Sequence, residues 1–545
     1  MLSRSISIVG GNVILSRLGE GWGEVMTKGD MQWPICWVVC VGVVLWASCA
    51  WIAPSLLHAG EVVPMSDNPA VSSNNEFAVD LYQHLVKGNA DTNLFFSPYS
   101  LFSALLMAVE GARGETARQM GGVLRFPSTT QNTGAAAQEA PWDTTLLHRT
   151  MAAMQQRLAV PGGLTTEKKE EMQSRLRQLE EEHKVLTRKV AEIHKRPYPS
   201  TGIPEVVQRN VTVAEEINTL RQQIDPYELN IANALWGEQT FPFRQDFLTT
   251  LTTAYGAAAF PADFLHNPER ERGQINQWVA QQTKERIKNI LAPGTITSDT
   301  RLVLANAIYF KGKWQDEFDK KDTQEAEFTR ADHQKEKVEL MSELNAHRRY
   351  VELLPDGTRN APVLNQEKFT YDMQPNTEGF QLLELPYRGK SLSMIVLLPK
   401  RADGLPALEK QLTLANLNKW IDAMQDSRIH IYLPKFKLET FYSLPPVLAA
   451  MGMPAAFQPG GFTGMSDALE AKSLALSEIA HKAFVEVNEE GTEAAAATVI
   501  VIVPTSGSFE PPTPTFRADH PFVFLIRDNQ SGLVLFLGRV VKPNA

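Results

Sequence analysis

A chain of 545 residues, 43% hydrophobic and 21% charged, is ordinary globular material, long enough for one large domain with additions or for several smaller ones. Its formal net charge of −9 gives no reason to expect nucleic acid or an anionic membrane surface as a partner. The only cysteines, Cys36, Cys40 and Cys49, lie near the start. The rest of the chain therefore has no disulfide, thiolate nucleophile or cysteine-held metal.

The first element in chain order is an apolar, uncharged run from Ile35 to Ala53. Its length falls between a signal-peptide core and a full membrane span. It predicts export to a secreted, extracellular or periplasmic location. Cleavage near Ser48-Cys49-Ala50, lipid attachment and retention as a tether all stay open. Residues 1–59 read as a leader and 60–74 as a polar linker, so any membrane contact is made through this segment alone.

Helical spacing then joins Phe77, Leu81, Leu85 and Val86. Ser97 is a natural cap for a second helix, with Pro98 in its first position. The block 128–225 changes character. A helix is predicted from Trp142 to Leu158, and Pro161-Gly162-Gly163 breaks it. Met172, Leu176, Leu179, His183, Leu186, Val190 and Ile193 then follow heptad spacing, and Val206, Val213, Ile217, Leu220 and Ile224 form a weaker seam. An antiparallel, coiled-coil-like hairpin is the simplest reading. His148, His183 and His194 sit in charged helical surroundings and read as solvated residues, not metal ligands.

Beyond Pro226, short apolar runs at Leu302–Tyr309, Leu392–Leu398 and Ile429–Leu433 predict buried strands, and Gly273–Ile290 predicts a helix. Helices and strands alternate without a regular repeat, which favours an α+β fold. Zinc-protease, phosphate-loop and nucleophile-elbow motifs are all missing, and no histidine is spaced as a base for a nucleophile. The chain reads as no enzyme, with no cofactor and no metal.

The stretch from Glu486 onward is at odds with itself. Glu493 to Ala497 suits a helix, whereas the β-branched run Val499 to Val503 suits a strand. Left as a permanent loop it would expose a strand former to solvent. Thr492, Ala494, Ala496 and Thr498 share one face at the two-residue period of a strand, small enough to enter a packed sheet. Gly491 supplies a flexible joint. These residues make sense as a strand exposed in one state and inserted in another.

At this point a family resemblance enters. Phe516-Arg-Ala-Asp-His-Pro-Phe-Val-Phe-Leu-Ile526 resembles the C-terminal signature of serpins, and Gly491-Thr-Glu-Ala-Ala-Ala-Ala497 their loop hinge. Asn93 to Ser100, Phe310-Lys-Gly-Lys-Trp314, Ser391 to Pro399 and Gly538-Arg-Val-Val-Lys-Pro543 are similar to further family elements, in the family's order. The resemblance covers about 75–127 and 226–545, with 128–225 as a helical insertion in a domain spanning 75–545. It implies a large central mixed or antiparallel sheet, further sheets, about nine helices and an exposed reactive-centre loop.

The resemblance also implies a function. The chain would be a monomeric suicide substrate for a serine protease, with cysteine proteases as a second class of target and no nucleic acid partner. A non-inhibitory carrier or chaperone is the alternative. The scissile bond would follow the fifteenth residue from Gly491, which places it at Thr505–Ser506 behind Val503 and Pro504. A small β-branched Thr505 suits elastase-like or subtilisin-like enzymes. Glu489, Gly491, Thr492, Ala494, Ala496 and Thr498 would form the hinge. Trp314 would mark the top of the opening sheet, and Ser97, Ser100, Asn233 and His481 the polar cluster beneath it.

Overall fold

The computed structural model describes residues 4–9, 12–17, 24–26, 68–159, 166–194, 205–224, 227–255, 258–361, 363–365, 370–372, 376–468, 472–492 and 513–544. They fall into two compact units, Met1–Val63 and Pro64–Ala545. The first holds an antiparallel sheet of β1 (Arg4–Val9), β2 (Asn12–Arg17) and β3 (Glu24–Met26). The leader reading passed over its signal, two runs with β-branched residues flanking Gly10-Gly11, the pattern of a tight hairpin. Ile35–Ala53 lies outside the described residues. Among the described residues, no helix is long and apolar enough to cross a membrane.

In the second unit, α1 (Pro69–Leu85) begins inside the segment read as a linker. The side chain of Asn68 accepts from the Ala70 N–H at 3.0 Å, Pro69 opens the first turn, and Val71, Asn74 and Asn75 are already buried. A polar start was mistaken for a linker because its polar residues cap and satisfy buried groups. Next come β4 (Leu94–Phe96), α2 (Pro98–Gly111) and α3 (Gly114–Val123). Ser97 caps α2 through the Ser100 N–H at 3.1 Å.

The 128–225 block is not one structural piece. After α4 (Ala136–Glu139), α5 (Thr145–Ala159) sends Leu147, Met151, Met154 and Leu158 into the main core. By contrast, α6 (Thr166–His194) and α7 (Glu205–Ile224) bury their own cluster of Leu179, Leu186, Val213 and Ile217. Ion pairs Arg175–Glu216 and Arg209–Glu182 fix these two helices antiparallel. His148 departs from the expectation of a solvated residue. It is buried on α5, with Nδ1 2.6 Å from the Tyr255 hydroxyl and Nε2 3.0 Å from Glu110. His183 is half-buried, and the side chain of His194 lies outside the described residues.

The remaining elements run β5 (Tyr227–Glu238), α8 (Gln245–Tyr255), β6 (Ala258–Ala262), α9 (Pro268–Gln282), β7 (Leu302–Lys313), β8 (Gln324–Thr329) and β9 (Lys335–Leu353). They continue with β10 (Val363–Asn365), β11 (Thr370–Asp372), β12 (Phe380–Pro386), β13 (Leu392–Pro399), α10 (Leu405–Gln411) and α11 (Leu414–Asp422). The chain closes with β14 (Gln425–Pro434), β15 (Phe436–Ser443), α12 (Pro445–Met451), β16 (Leu476–Val487), β17 (Gly491–Thr492), β18 (Thr515–Arg517), β19 (Phe522–Asp528) and β20 (Val534–Val540). The helix predicted to reach Ile290 stops at Gln282, because Lys284, Glu285 and Asn289 take positive φ values of 51°, 63° and 52°. Ile287 and Ile290 still point inward from that irregular segment.

Twelve α-helices occur among the described residues, against about nine expected, and four of them, α4 to α7, lie in the 128–225 block. A nine-stranded sheet runs β18-β14-β9-β12-β13-β19-β20-β4, with β8 beside β9. The second large sheet runs β15-β16-β7-β5-β6, with β17 on β7. It is mixed: β16/β7 and β5/β6 are parallel, whereas β15/β16 and β7/β5 are antiparallel. The strand β7 is covered on both faces. Leu302, Leu304, Ile308 and Phe310 join the main core, and Val303, Ala305, Ala307 and Tyr309 pack with Ile275 and Val279 of α9. A strand buried on both sides has no polar face to alternate, hence its nearly continuous apolar run.

Candidate functional site: the loop hinge and the strand seam

The parallel contact of β16 with β7 runs from Leu476↔Leu302 to Phe484↔Tyr309. Past Val487 the chain turns sharply. The Asn488 N–H donates to the Gly491 carbonyl at 2.8 Å, and the Gly491 N–H returns a bond to the Asn488 carbonyl at 3.2 Å. The reversed chain forms β17, antiparallel to β7, with Gly491 opposite Lys313 and Thr492 opposite Gly312. The first two residues of the predicted hinge strand, Gly491 and Thr492, are thus paired into the sheet at the head of the seam. Only glycine fits at 491. Its φ is 131°, and a Cβ there would lie 2.3 Å from the Gly312 carbonyl oxygen and 2.6 Å from the Lys313 Cα.

Trp314 anchors the turn from below. Its indole N–H donates to the Asn488 carbonyl at 3.0 Å, and its backbone N–H to the Glu490 carbonyl at 3.0 Å. The ring stacks on Tyr387 with centroids 4.8 Å apart and is 1% exposed. Glu489 is also tied in. The Phe318 N–H donates to its carbonyl at 2.8 Å, the Thr323 hydroxyl to its carboxylate at 2.9 Å, and Lys435 Nζ lies 3.4 Å away. Burial works to raise its pKa, but its own backbone N–H, Thr323 and Lys435 outweigh that and hold the carboxyl below the usual range. Glu490, equally buried, pairs with Lys320.

Farther down the seam lies a buried polar cluster. The Ser97 N–H donates to His481 Nε2 at 3.1 Å, and the Ser97 hydroxyl to the Leu535 carbonyl at 2.7 Å. The Ser100 hydroxyl donates to Asn233 Oδ1 at 3.2 Å, and the Asn306 amide to the Ser100 hydroxyl at 2.6 Å. Asn306 also bonds Asn233 and His481 Nδ1. Because Nε2 accepts, the ring proton sits on Nδ1 and the imidazole is neutral. Burial pushes the His481 pKa down to about 3. The cluster joins α2, β5, β7 and β16, so it spans the seam between the two parallel strands.

The predicted residues therefore fall into three groups. Ser97, Ser100, Asn233 and His481 come together in the cluster. Trp314, Glu489, Gly491 and the backbone of Thr492 come together at the hinge. Ala494, Ala496, Thr498, Val503, Pro504, Thr505 and Ser506 lie outside the described residues. The sequence reading missed Asn306, which its apolar strand run could have flagged as a buried polar residue in need of partners. It also missed Thr323, Lys320 and Lys435, which reach the hinge from distant segments and carry no local signal. Among the described residues, no group of three or more His, Cys, Asp or Glu side chains is placed to hold a metal ion.

Comparison with known proteins agrees with this architecture. The family model for Serpin (serine protease inhibitor) matches residues 72–543. Serpin B4 of Homo sapiens is 34% identical over 483 residues, which cover 87% of this chain and 100% of the relative. The leukocyte elastase inhibitor of Xenopus laevis is 33% identical over 478 residues, covering 87% and 99%. The solved structure of uncleaved ovalbumin superposes with a TM-score of 0.60 at 26% identity, over 87% of this chain and 100% of that one. Native protease nexin-1 with heparin reaches a TM-score of 0.61 at 23% identity, over 88% and 100%, a likeness of fold alone. A family model that matches residues 72–543 and relatives matched over nearly their whole length make the chain a member of the serpin family, a protease inhibitor and not an enzyme.

Proposed function

We propose that this serpin inhibits serine proteases as a suicide substrate, by cleavage at Thr505–Ser506 followed by insertion of the freed loop between β16 and β7. The observation that carries the reading is β17. Two hinge residues already run antiparallel to β7 at the head of a parallel pair. Parallel pairing is slightly weaker per residue than antiparallel pairing. A strand descending from β17 would replace one parallel contact by two antiparallel ones. Strand addition of this kind is a general recognition mode, of which serpin loop insertion is itself a standard example.

Continuing the register of β17 gives each loop residue a partner on β7. Ala494 would face Phe310, Ala496 Ile308, and Thr498 Asn306; Ile500 and Ile502 would face Leu304 and Leu302. Residues directly opposite share a face in an antiparallel pair. That face of β7 is the one turned to the main core, where small residues at 494 and 496 would meet large ones. On the other face Glu493 would lie across from Lys311. The β-branched run from Val499 would lie along Leu302 to Ala305, where β7 is covered on both faces and a strand former suits the buried position.

This geometry supports the following mechanism. A protease attacks the Thr505 carbonyl, the peptide bond to Ser506 breaks, and the acyl-enzyme forms with the new amine of Ser506 released. Some 14 loop residues at about 3.3 Å each would carry the ester-linked protease roughly 45 Å before water completes hydrolysis. A small β-branched Thr505 supports an elastase-like or subtilisin-like target, and relatives of this chain include elastase inhibitors. A carrier role is not favoured by those relatives. The apolar run Ile35–Ala53 supports export, with release or tethering of the folded body.

The test is to incubate the purified chain with elastase-type and subtilisin-type proteases. The expected result is a complex that survives SDS and a released peptide starting at Ser506. Turnover to cleaved chain with no such complex would overturn the reading.

A further inference from the structure

The helical hairpin joins the sheet next to the hinge. Helix α7 ends at Ile224 and β5 starts at Tyr227, three residues later. Tyr227 is paired with Gly312 on one edge of β7, and Thr492 is paired with the same Gly312 on the other edge. One residue of β7 therefore separates the root of the hairpin from the hinge. The side chains repeat this connection. Tyr227 contacts Phe310 at 6.2 Å between ring centroids, Phe310 meets Tyr387 edge-on at 5.0 Å, and Tyr387 stacks on Trp314 at 4.8 Å. Trp314 then bonds the carbonyls of Asn488 and Glu490 in the hinge turn.

The chain of rings is closely packed over Gly312. A Cβ on that glycine would come within 2.7 Å of both Phe310 and Tyr387. Packed side chains of this kind shift between discrete arrangements and do not deform smoothly. The hairpin root is also clamped on its other side, where Arg157 at the end of α5 grips the buried Asp528 through bonds of 2.8 and 2.7 Å. Tyr227 is therefore a packed route by which displacement of α7 can reach the sheet.

We propose that the α6–α7 hairpin is a control arm for the reactive loop, coupled to the hinge through Tyr227, Phe310, Tyr387 and Trp314. Whatever loads the arm would alter the stability of the β17 pairing and, on the inhibitory reading above, the balance between loop insertion and hydrolysis. Coupling of this kind is read directly as a change at the hinge when the arm is bound.

The probe is a monovalent antibody fragment raised against residues 166–224, applied to the full chain. Hydrogen exchange at the Gly491, Thr492 and Trp314 amides is read with and without it. Binding is expected to change exchange at these amides by at least threefold. In Tyr227→Leu the fragment should bind with the same affinity yet leave hinge exchange unchanged, and Tyr227→Phe, which keeps the ring, should restore the response. Unchanged hinge exchange in the parent with the fragment bound would overturn the proposal, as would an identical response in Tyr227→Leu. Because exchange needs no protease, a chain that fails to trap protease can still pass or fail this test, and the two readings remain separable.

Discussion

Gly491 and Gly312 meet backbone to backbone, with the space for a Cβ on Gly491 taken by the carbonyl oxygen of Gly312. Gly491→Ala therefore has to unseat β17. The positive φ and the clash together are worth about 1–3 kcal/mol, but the cost is limited by the small stability of a two-residue strand. Amide exchange at Thr492 should accelerate about tenfold, which corresponds to about 1.4 kcal/mol. The denaturation midpoint of the whole protein should hardly move. A variant with parent-like exchange at Thr492 would show that the hinge is not held by this contact.

Ala494 lies outside the described residues, and its role rests on the continued register. If it enters the sheet opposite Phe310, an arginine there must bury its guanidinium in the apolar core, at a cost of several kcal/mol. A rise of about 3 kcal/mol in the insertion barrier slows that step roughly a hundredfold, and hydrolysis then wins. Ala494→Arg should be cut at Thr505–Ser506 and release active protease. The stability of the uncleaved protein should match the parent. A variant that still traps protease one for one would rule out insertion in this register.

His481 makes stability depend on pH in a definite direction. Its folded pKa is about 3, whereas a histidine in an unfolded chain titrates near 6.5. The unfolded state therefore binds the extra proton first, and stability falls as pH drops through the window from about 6.5 to about 3. The slope approaches about 1.4 kcal/mol per pH unit. His481→Gln should be less stable at neutral pH, because the bonds to Ser97 and Asn306 are disturbed, yet its urea midpoint should fall less between pH 6.5 and 5. Parallel midpoint curves for parent and variant would argue against a neutral His481 in the fold.

How much of this was legible in the sequence depends on where each signal is stored. Ser97 carries a local signal, a capping residue followed by proline, and the helix begins there. The hinge carries another in the spacing of its small residues. Asn306 has only a weak one, a single amide within an apolar strand, and its meaning appears once Ser100, Asn233 and His481 converge on it. Lys435 and Thr323 have none, since a charge that stabilises Glu489 looks like any surface lysine until the chain is folded. The overlong helix prediction past Gln282 failed for a backbone reason. The inward spacing of Ile287 and Ile290 continues, but the left-handed Lys284 and Glu285 ahead of them, and Asn289 between them, break the helix.

The last prediction tests the register at its most polar point. Continued from Gly491↔Lys313, the register sets Thr498 opposite Asn306, the residue that links Ser100, Asn233 and His481. Inserting a strand there forces β7 and β16 apart and strains the bond between Asn306 and His481, so a hydroxyl arriving with the loop would replace a lost partner. Thr498→Val keeps the branched shape and removes only that group. In the uncleaved protein it should change nothing, because the groups of the cluster already bond one another there. In the cleaved protein it should leave a buried polar group short of a partner, at about 1–3 kcal/mol. The rise in melting temperature on cleavage should therefore be smaller than in the parent, while Thr505→Ser, changed outside the inserted pairs, should leave that rise intact. If Thr498→Val gains as much as the parent on cleavage, Thr498 does not reach the cluster and the register is shifted.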